Sequence, residues 1–206
     1  ENALHESTDF VLYLAAHQLA GRGRGQNTWL DTGSGEALLS TWSFKVHSPP
    51  QAITGPRVGL ALFLAARKTW PSLAWGLKPP NDLFLSGHKV GGLLVESLTS
   101  GSHHRLLIGL GLNVLNHPRK LLEAAHLTSD LSSKLDESDW FRFLDELMAQ
   151  FEVASQEVLS AELNSLARAE LANAINANLA SPFHVKEISP RGDIVHDGGL
   201  VKWTDL

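Results

Sequence analysis

Residues 89–115 read KVGGLLVESLTSGSHHRLLIGLGLNVL, and this stretch decides the architecture. Two apolar runs, GGLLVESL and RLLIGLGLNVL, flank a polar turn around Ser100 to His103 and read as two strands. In the second run, alternation puts Gly109, Gly111 and Asn113 on one face and the intervening leucines on the other. A glycine face admits a flat ring or a chain passing close by, and it serves close sheet–helix packing equally well.

Upstream, Trp75–Lys78 predicts a strand stopped by Pro79-Pro80, and Asn81–Leu85 a second one closed by the turn Ser86-Gly87-His88-Lys89. TGPRVGLALFLAARKTW predicts a buried helix, with Pro56 in its first turn and Pro71 ending it. ALLSTWSFKV is β-prone. VLYLAA predicts a buried strand that runs into QLAGRGRGQNTW, where three glycines and two arginines occupy positions 21 to 25. Each glycine costs a helix about 1 kcal/mol relative to alanine, so this segment is a loop. Thus the chain to about residue 116 has the pattern of a sheet domain with at least one packed helix.

Between about 119 and 178 the period becomes helical. Trp140, Phe143, Leu144, Leu147, Met148 and Phe151 recur at helical intervals behind Asp136, Glu137 and Asp139, and read as core rather than a cofactor box. After Pro182, FHVKEI, DIVHD and LVKWTD are short strand candidates. About 25 residues hold too small a core to stand alone, so they are expected to pack on the rest.

Composition narrows the function classes. With 17 basic and 22 acidic residues the formal net charge is -5, which gives no support to a dedicated nucleic-acid binder. No run of 18 apolar residues is present to span a membrane, and ENALHESTDF has no signal-peptide pattern. The chain has no cysteine, hence no disulfide or thiolate chemistry. A cytoplasmic location is the expectation.

Three constellations carry chemistry. In Gly21-Arg22-Gly23-Arg24-Gly25, glycines let backbone amides approach an anion, and arginines fork onto phosphate or carboxylate oxygens. The spacing is neither a P-loop nor a dinucleotide fingerprint, and a solvated turn is the alternative. Lys78 and Lys89 stand beside Pro79-Pro80-Asn81-Asp82 and Gly91-Gly92, which raises the chance of an anionic site over that of two solvated side chains. Asp82 is a weak Mg²⁺ candidate, with a lysine-orienting or capping role as the alternative. Gly109-Leu-Gly-Leu-Asn113 is the third. The scattered histidines have no zinc spacing, and no hydrolytic triad is legible.

Together, Ser7-Thr8, Gln18-Leu-Ala-Gly-Arg-Gly-Arg-Gly25 with Trp29, Lys78-Pro-Pro-Asn-Asp82 with Lys89-Val-Gly-Gly-Leu-Leu-Val-Glu96, and Gly109-Leu-Gly-Leu-Asn113 resemble the biotin-protein ligases of the biotin/lipoate ligase group. The resemblance covers most of residues 7 to 116. It implies an α+β fold, a mixed sheet backed by helices in the manner of class II aminoacyl-tRNA synthetases. Residues 1–180 would form the catalytic domain and 181–206 a small, reduced SH3-like β segment. It also implies ATP, biotin and Mg²⁺, with biotinyl-5'-AMP as intermediate and the biotin carboxyl carrier domain of a carboxylase as protein partner. A homodimer is compatible with it. A form lacking the N-terminal DNA-binding domain, and so not binding nucleic acid, is the expectation.

By position, the resemblance gives Ser7, Thr8, Gln18, Arg22, Gly23, Lys89, Gly91 and Gly92 to biotin. Arg22, Arg24, Trp29, Lys78, Asn81 and Asn113 go to ATP or the adenylate. Arg24 and Lys89 are the catalytic pair, and Asp82 is the weak metal candidate. Several positions depart from the family pattern. Pro79 replaces a tryptophan, and Gly25, Gln26 and Asn27 stand where further basic residues are common. Asp9 replaces an asparagine, and nine residues separate Thr8 from Gln18 where a helix and loop are usual. A lipoate or other acyl-adenylate transferase, and a non-catalytic binder of biotin or nucleotide, are the alternatives.

Overall fold

Alternating leucines need one dry face, and a layer of helices supplies it. A computed structural model describes residues 8–206 apart from 32, 34 and 183. In chain order its strands and helices are β1 (Phe10–Ala15), β2 (Gly21–Arg22), β3 (Thr28–Trp29), β4 (Ala37–Val46), α1 (Thr54–Thr69), β5 (Trp75–Lys78), β6 (Asp82–Leu85), β7 (His88–Ser100), β8 (His103–Asn113), α2 (Glu137–Gln156), α3 (Ser165–Asn176), β9 (Val185–Ile188), β10 (Ile194–His196) and β11 (Gly199–Val201).

Six strands form one sheet in the order β1-β4-β8-β7-β6-β5, with every neighbouring pair antiparallel. The mixed character expected of it is confined to an isolated parallel bridge between Lys89 and Ala124. Leu106, Ile108, Leu110 and Leu112 face the helices with Trp42 and Phe44, all nearly inaccessible to solvent. Across that layer lie Val58, Leu62, Ala65 and Ala66 of α1 and Phe143, Leu147 and Phe151 of α2. Phe151 meets Trp42 edge-on with centroids 5.6 Å apart. Each such side chain contributes roughly 1.5–3 kcal/mol on burial.

Local signals set the ends. Pro56 sits in the first turn of α1, where its missing N–H costs nothing, and Arg67 and Lys68 face the negative end of the helix dipole. Asp136 caps α2 by accepting from the Ser138 N–H, and Asn164 caps α3 by accepting from the Ala167 N–H. Ser86 and Gly87, both at positive φ, make the tight β6–β7 turn. The strands β9 to β11 form a small second sheet, and Val185, Ile188, Ile194 and Trp203 join the main core as expected of so short a tail.

Two expectations change. β1 is not buried: it is an edge strand, and Leu12, Tyr13 and Leu14 are exposed because the helix layer ends over β4. The helical period begins only at Glu137, and residues 119–136 run as a loop with a single 3-10 turn, Leu127–Ser129. Among the described residues no helix is long and apolar enough to cross a membrane.

Candidate active site

The face of the sheet turned away from the helices carries small residues. Register pairs Gly92 with Gly111, Leu94 with Gly109 and Glu96 with Leu107, while Thr41 of β4 pairs with Gly109. A cavity of about 230 Å³ lies on this face, roofed by residues of the Gly-Arg loop. Gly111 must be glycine here, because a Cβ would stand 2.6 Å from Cε2 of Trp29. A Cβ on Gly92 would sit 3.4 Å from the same indole and 3.5 Å from Lys89 Nζ. Gly91 points the other way, toward Leu112. Of the glycine pair, then, only Gly92 borders the cavity.

The loop is closed at its base by Asp31. Its carboxylate accepts from the N–H groups of Gln18 at 3.0 Å and Gly33 at 3.3 Å, and meets His17 Nδ1 at 3.1 Å. Burial pulls the Asp31 pKa up, but those two backbone donors and His17 outweigh it and hold it below its ordinary value. The ladder of β2 with β3 continues from there. At the tip, Gly23 N–H donates to Asn27 O at 2.8 Å. Arg22 forks onto both oxygens of Glu96 at 3.1 and 3.0 Å. Arg24 donates to the carbonyl of Thr204 at 3.0 Å and to that of Leu206.

Opposite the loop, Lys89 Nζ meets Asp82 Oδ1 at 2.6 Å. The Lys89 backbone is fixed by the loop that follows β8: its N–H donates to Glu123 O and its carbonyl accepts from Ala125 N–H. Asn113 is buried and donates from Nδ2 to Ala125 O at 3.0 Å. The Asn113 Oδ1 and Trp29 Nε1 atoms are buried without a partner. Unmet buried polar groups are costly, and Trp29 Nε1 is the one of this pair that belongs to a cavity-lining residue. Asn81 donates from Nδ2 to Leu93 O at 2.7 Å and so extends the β6 ladder by one residue.

The cavity therefore gathers Gln18, Arg22, Gly23, Arg24, Trp29, Asn81, Asp82, Lys89 and Gly92. Lys78, Gly91 and Asn113 are not in its lining; the Lys78 ammonium lies 5.5 Å over the Phe84 ring. Thr8 stands at the far end of the sheet, where Arg105 donates to its carbonyl. Extended chain separates it from Gln18, because β1 runs antiparallel along β4. Ser7 lies outside the described residues. Thr41, Leu94, Glu96 and Leu107 also line the cavity, and sequence reasoning gave them no role. Period-two alternation across the β4–β8–β7 ladder finds them once the register is known.

Among the described residues no three His, Cys, Asp or Glu side chains converge as a metal site. Asp82 turns one oxygen to Lys89 at 2.6 Å, as its lysine-orienting alternative requires. A second cavity of about 340 Å³ lies between β7, the start of α1 and the C-terminal turn. It shares Arg24, Asn81, Leu93, Leu94 and Glu96 with the first.

Comparison with known proteins supplies the context. A family model described as the biotin/lipoate A/B protein ligase family matches residues 5–113. The biotin–acetyl-CoA-carboxylase ligase of Mycobacterium tuberculosis is 34% identical over 117 residues, covering 55% of this chain and 42% of that protein. The bifunctional ligase/repressor BirA of Salmonella typhimurium is 30% identical over 167 residues, covering 73% of this chain and 49% of that protein. The chain thus spans less than half the length of either relative. Among solved structures, the biotin protein ligase from Aquifex aeolicus in complex with biotin and ATP superposes with a TM-score of 0.66 at 19% identity, over 93% of this chain and 84% of that one. The Leishmania major biotin protein ligase with biotinyl-5-AMP gives 0.60 at 21% identity, over 94% and 87%. At these identities the superpositions speak for the fold.

Proposed function

Because the chain belongs to the biotin/lipoate A/B protein ligase family, we propose that it activates biotin with ATP and transfers it to a lysine of a carboxylase's biotin carboxyl carrier domain. In the first half-reaction a biotin carboxylate oxygen attacks the α-phosphorus of ATP. The bond to the β-phosphate breaks, and pyrophosphate leaves biotinyl-5'-AMP behind. In the second, the carrier lysine amine attacks the acyl carbon and AMP departs.

One observation supports this reading above the others: a single cavity joins the Trp29 indole, seated on Gly92 and Gly111, to a cationic rim of Arg24 and Lys89. Adenylation brings two anions together, and fixed cations offset that repulsion most effectively where the negative charge develops. Lys89 would exchange Asp82 for the carboxylate and α-phosphate oxygens, with Asp82 as its resting partner. Trp29 would offer a flat face and an unmet N–H to the adenylate. Arg24 would move from the C-terminal carbonyls to the phosphate. Mg²⁺ would enter with ATP, held mainly by the phosphates.

Residues 1–180 would carry the chemistry, with 181–206 as a β unit that holds Arg24 through the Thr204 carbonyl. The adjoining cavity is the route offered to the acceptor lysine. The reading calls for no nucleic acid and suits a cytoplasmic, ATP-supplied location. The test is to incubate the protein with ATP and Mg²⁺ plus biotin, lipoate or octanoate, and identify the acyl-adenylate by mass. Biotinyl-5'-AMP, passed on to an added carrier domain, is the expected product. An adenylate of lipoate or octanoate alone would reassign the substrate, and none from any acid would leave a binding protein.

A further inference from the structure

The family resemblance assigns Arg22 to the ligand and leaves Glu96 without a role. We propose instead that Glu96 is a positioning residue: through Arg22 it holds the Gly-Arg loop down over the cavity. This inference rests on the function proposed above.

The geometry is specific. Both terminal nitrogens of Arg22 meet both Glu96 oxygens, a parallel fork that joins residues 74 positions apart in the chain. The base of the loop has the Asp31 clamp and the short β2–β3 ladder. Its tip has less. The Gly23-to-Asn27 and Asn27-to-Arg24 hydrogen bonds are internal to the loop, and Arg24 reaches the carbonyls of Thr204 and Leu206, away from the sheet. Among the described residues, the Arg22–Glu96 fork is the hydrogen-bonded tie from the end of β2, where the tip begins, to the sheet that floors the cavity.

Electrostatics excludes the simpler roles. Glu96 lines a cavity that must take a carboxylate and phosphates, and a free carboxylate there would repel both. Paired with Arg22, its charge is neutralised. The two-pronged pairing commits Arg22 to Glu96, whereas Arg24 rests on two neutral carbonyls and Lys89 on a single Asp82 oxygen, and these two are the cations to redirect to an anion. Arg22 and Glu96 therefore act as one latch. Both side chains are partly open to solvent, with 72% and 37% of their surfaces exposed, so the pair contributes little to global stability. Losing it frees the loop and leaves the fold intact.

Two readouts test this. The first is independent of activity: tryptic cleavage after Arg24, timed by mass spectrometry, in wild type, Glu96→Gln, and the charge-swapped double variant Arg22→Glu with Glu96→Arg. Glu96→Gln is expected to be cut at least fivefold faster at an unchanged Tm, and the swap to restore protection. The second is kinetic. Arg22→Ala and Glu96→Gln should raise the KM for biotin and the leakage of adenylate to a similar extent, and the double variant Arg22→Ala with Glu96→Gln should be no worse than either. Unchanged cleavage in Glu96→Gln would overturn the latch. So would a defect in Arg22→Ala more than tenfold beyond that of Glu96→Gln, because Arg22 would then be holding an anion. A wild-type protein that adenylates no acid would remove the function proposed for the site, and the cleavage experiment would still decide the latch.

Discussion

Lys89 is the cation with the most to do in this site, and its present partner is Asp82 at 2.6 Å. Lys89→Ala is expected to cost roughly 2–4 kcal/mol of transition-state stabilisation, the scale for losing one preorganised donor. That is on the order of 30- to 1,000-fold in the rate of adenylate formation; a change below threefold would remove Lys89 from the chemistry. Gly111→Ala forces an atom to within 2.6 Å of the Trp29 ring and must move it. The expected result is at least a tenfold rise in the ATP KM and a shift in tryptophan emission that is absent in a Trp29→Phe background. Normal ATP kinetics would show that Trp29 is not a nucleotide platform. At this scale glycines and cations announce themselves locally, and Arg24, Lys89, Gly109 and Gly111 do line one cavity, while the roles given to Arg24 and Lys89 came from the family resemblance. Which of Gly91 and Gly92 faces the cavity was not legible, since a one-residue change of register exchanges the faces. Thr8 was misplaced relative to Gln18 for a related reason: the six residues of β1, at about 3.3 Å each, carry it roughly 20 Å along β4.

Among the elements, α1 and the loop after β8 are held by groups that their own local sequence does not advertise. Arg57 is buried in α1 and donates to the carbonyls of Glu157, Ser160 and Glu162 at 2.6–2.8 Å, with Glu157 also as ion partner. Arg57→Met strands three carbonyls, and the expected loss is about 3 kcal/mol in urea unfolding. A loss under 1 kcal/mol would mean that water replaces the guanidinium. In the loop after β8, His117 and His126 stack with Nδ1 atoms 2.9 Å apart. Burial lowers the His126 pKa and the charge of His117 lowers it further, with Asp130 opposing; Glu36 faces the pair through Asn116. A depressed histidine leaves the unfolded chain binding more protons. Its stabilisation is therefore complete above about pH 6.5 and is lost as the pH falls below it. Stability should drop between pH 7.5 and 5.5, and His126→Gln should flatten that drop; an unchanged slope would contradict it. Asp31 and Asp136, both held below the usual carboxylate value, act only near and below pH 4 and do not confuse the window. Strands β4 to β8 and α1 were legible from alternation, prolines and turn residues. The exposure of β1 was not, because an apolar run does not say whether a helix layer will reach it.

For the molecule as a whole, the site depends on parts that are distant in sequence meeting on one face of one sheet. The loop before β3 roofs it, β4, β7 and β8 floor it, and the C-terminal turn holds Arg24. The layer arrangement followed from the alternating leucines and the helical stripes, and the small β9–β11 sheet followed from the short apolar runs after Pro182. The assembly of the cavity depended on sheet order and register, which long-range pairing decides. The central claim is that this cavity activates a carboxylic acid with ATP. Acid-dependent ATP–pyrophosphate exchange measures that step without a carrier protein, and running Lys89→Ala beside the wild type ties it to the cavity. The expected result is exchange that requires biotin and falls at least 30-fold in Lys89→Ala. No exchange from folded protein with Mg²⁺ present, or exchange that Lys89→Ala leaves unchanged, would contradict the claim.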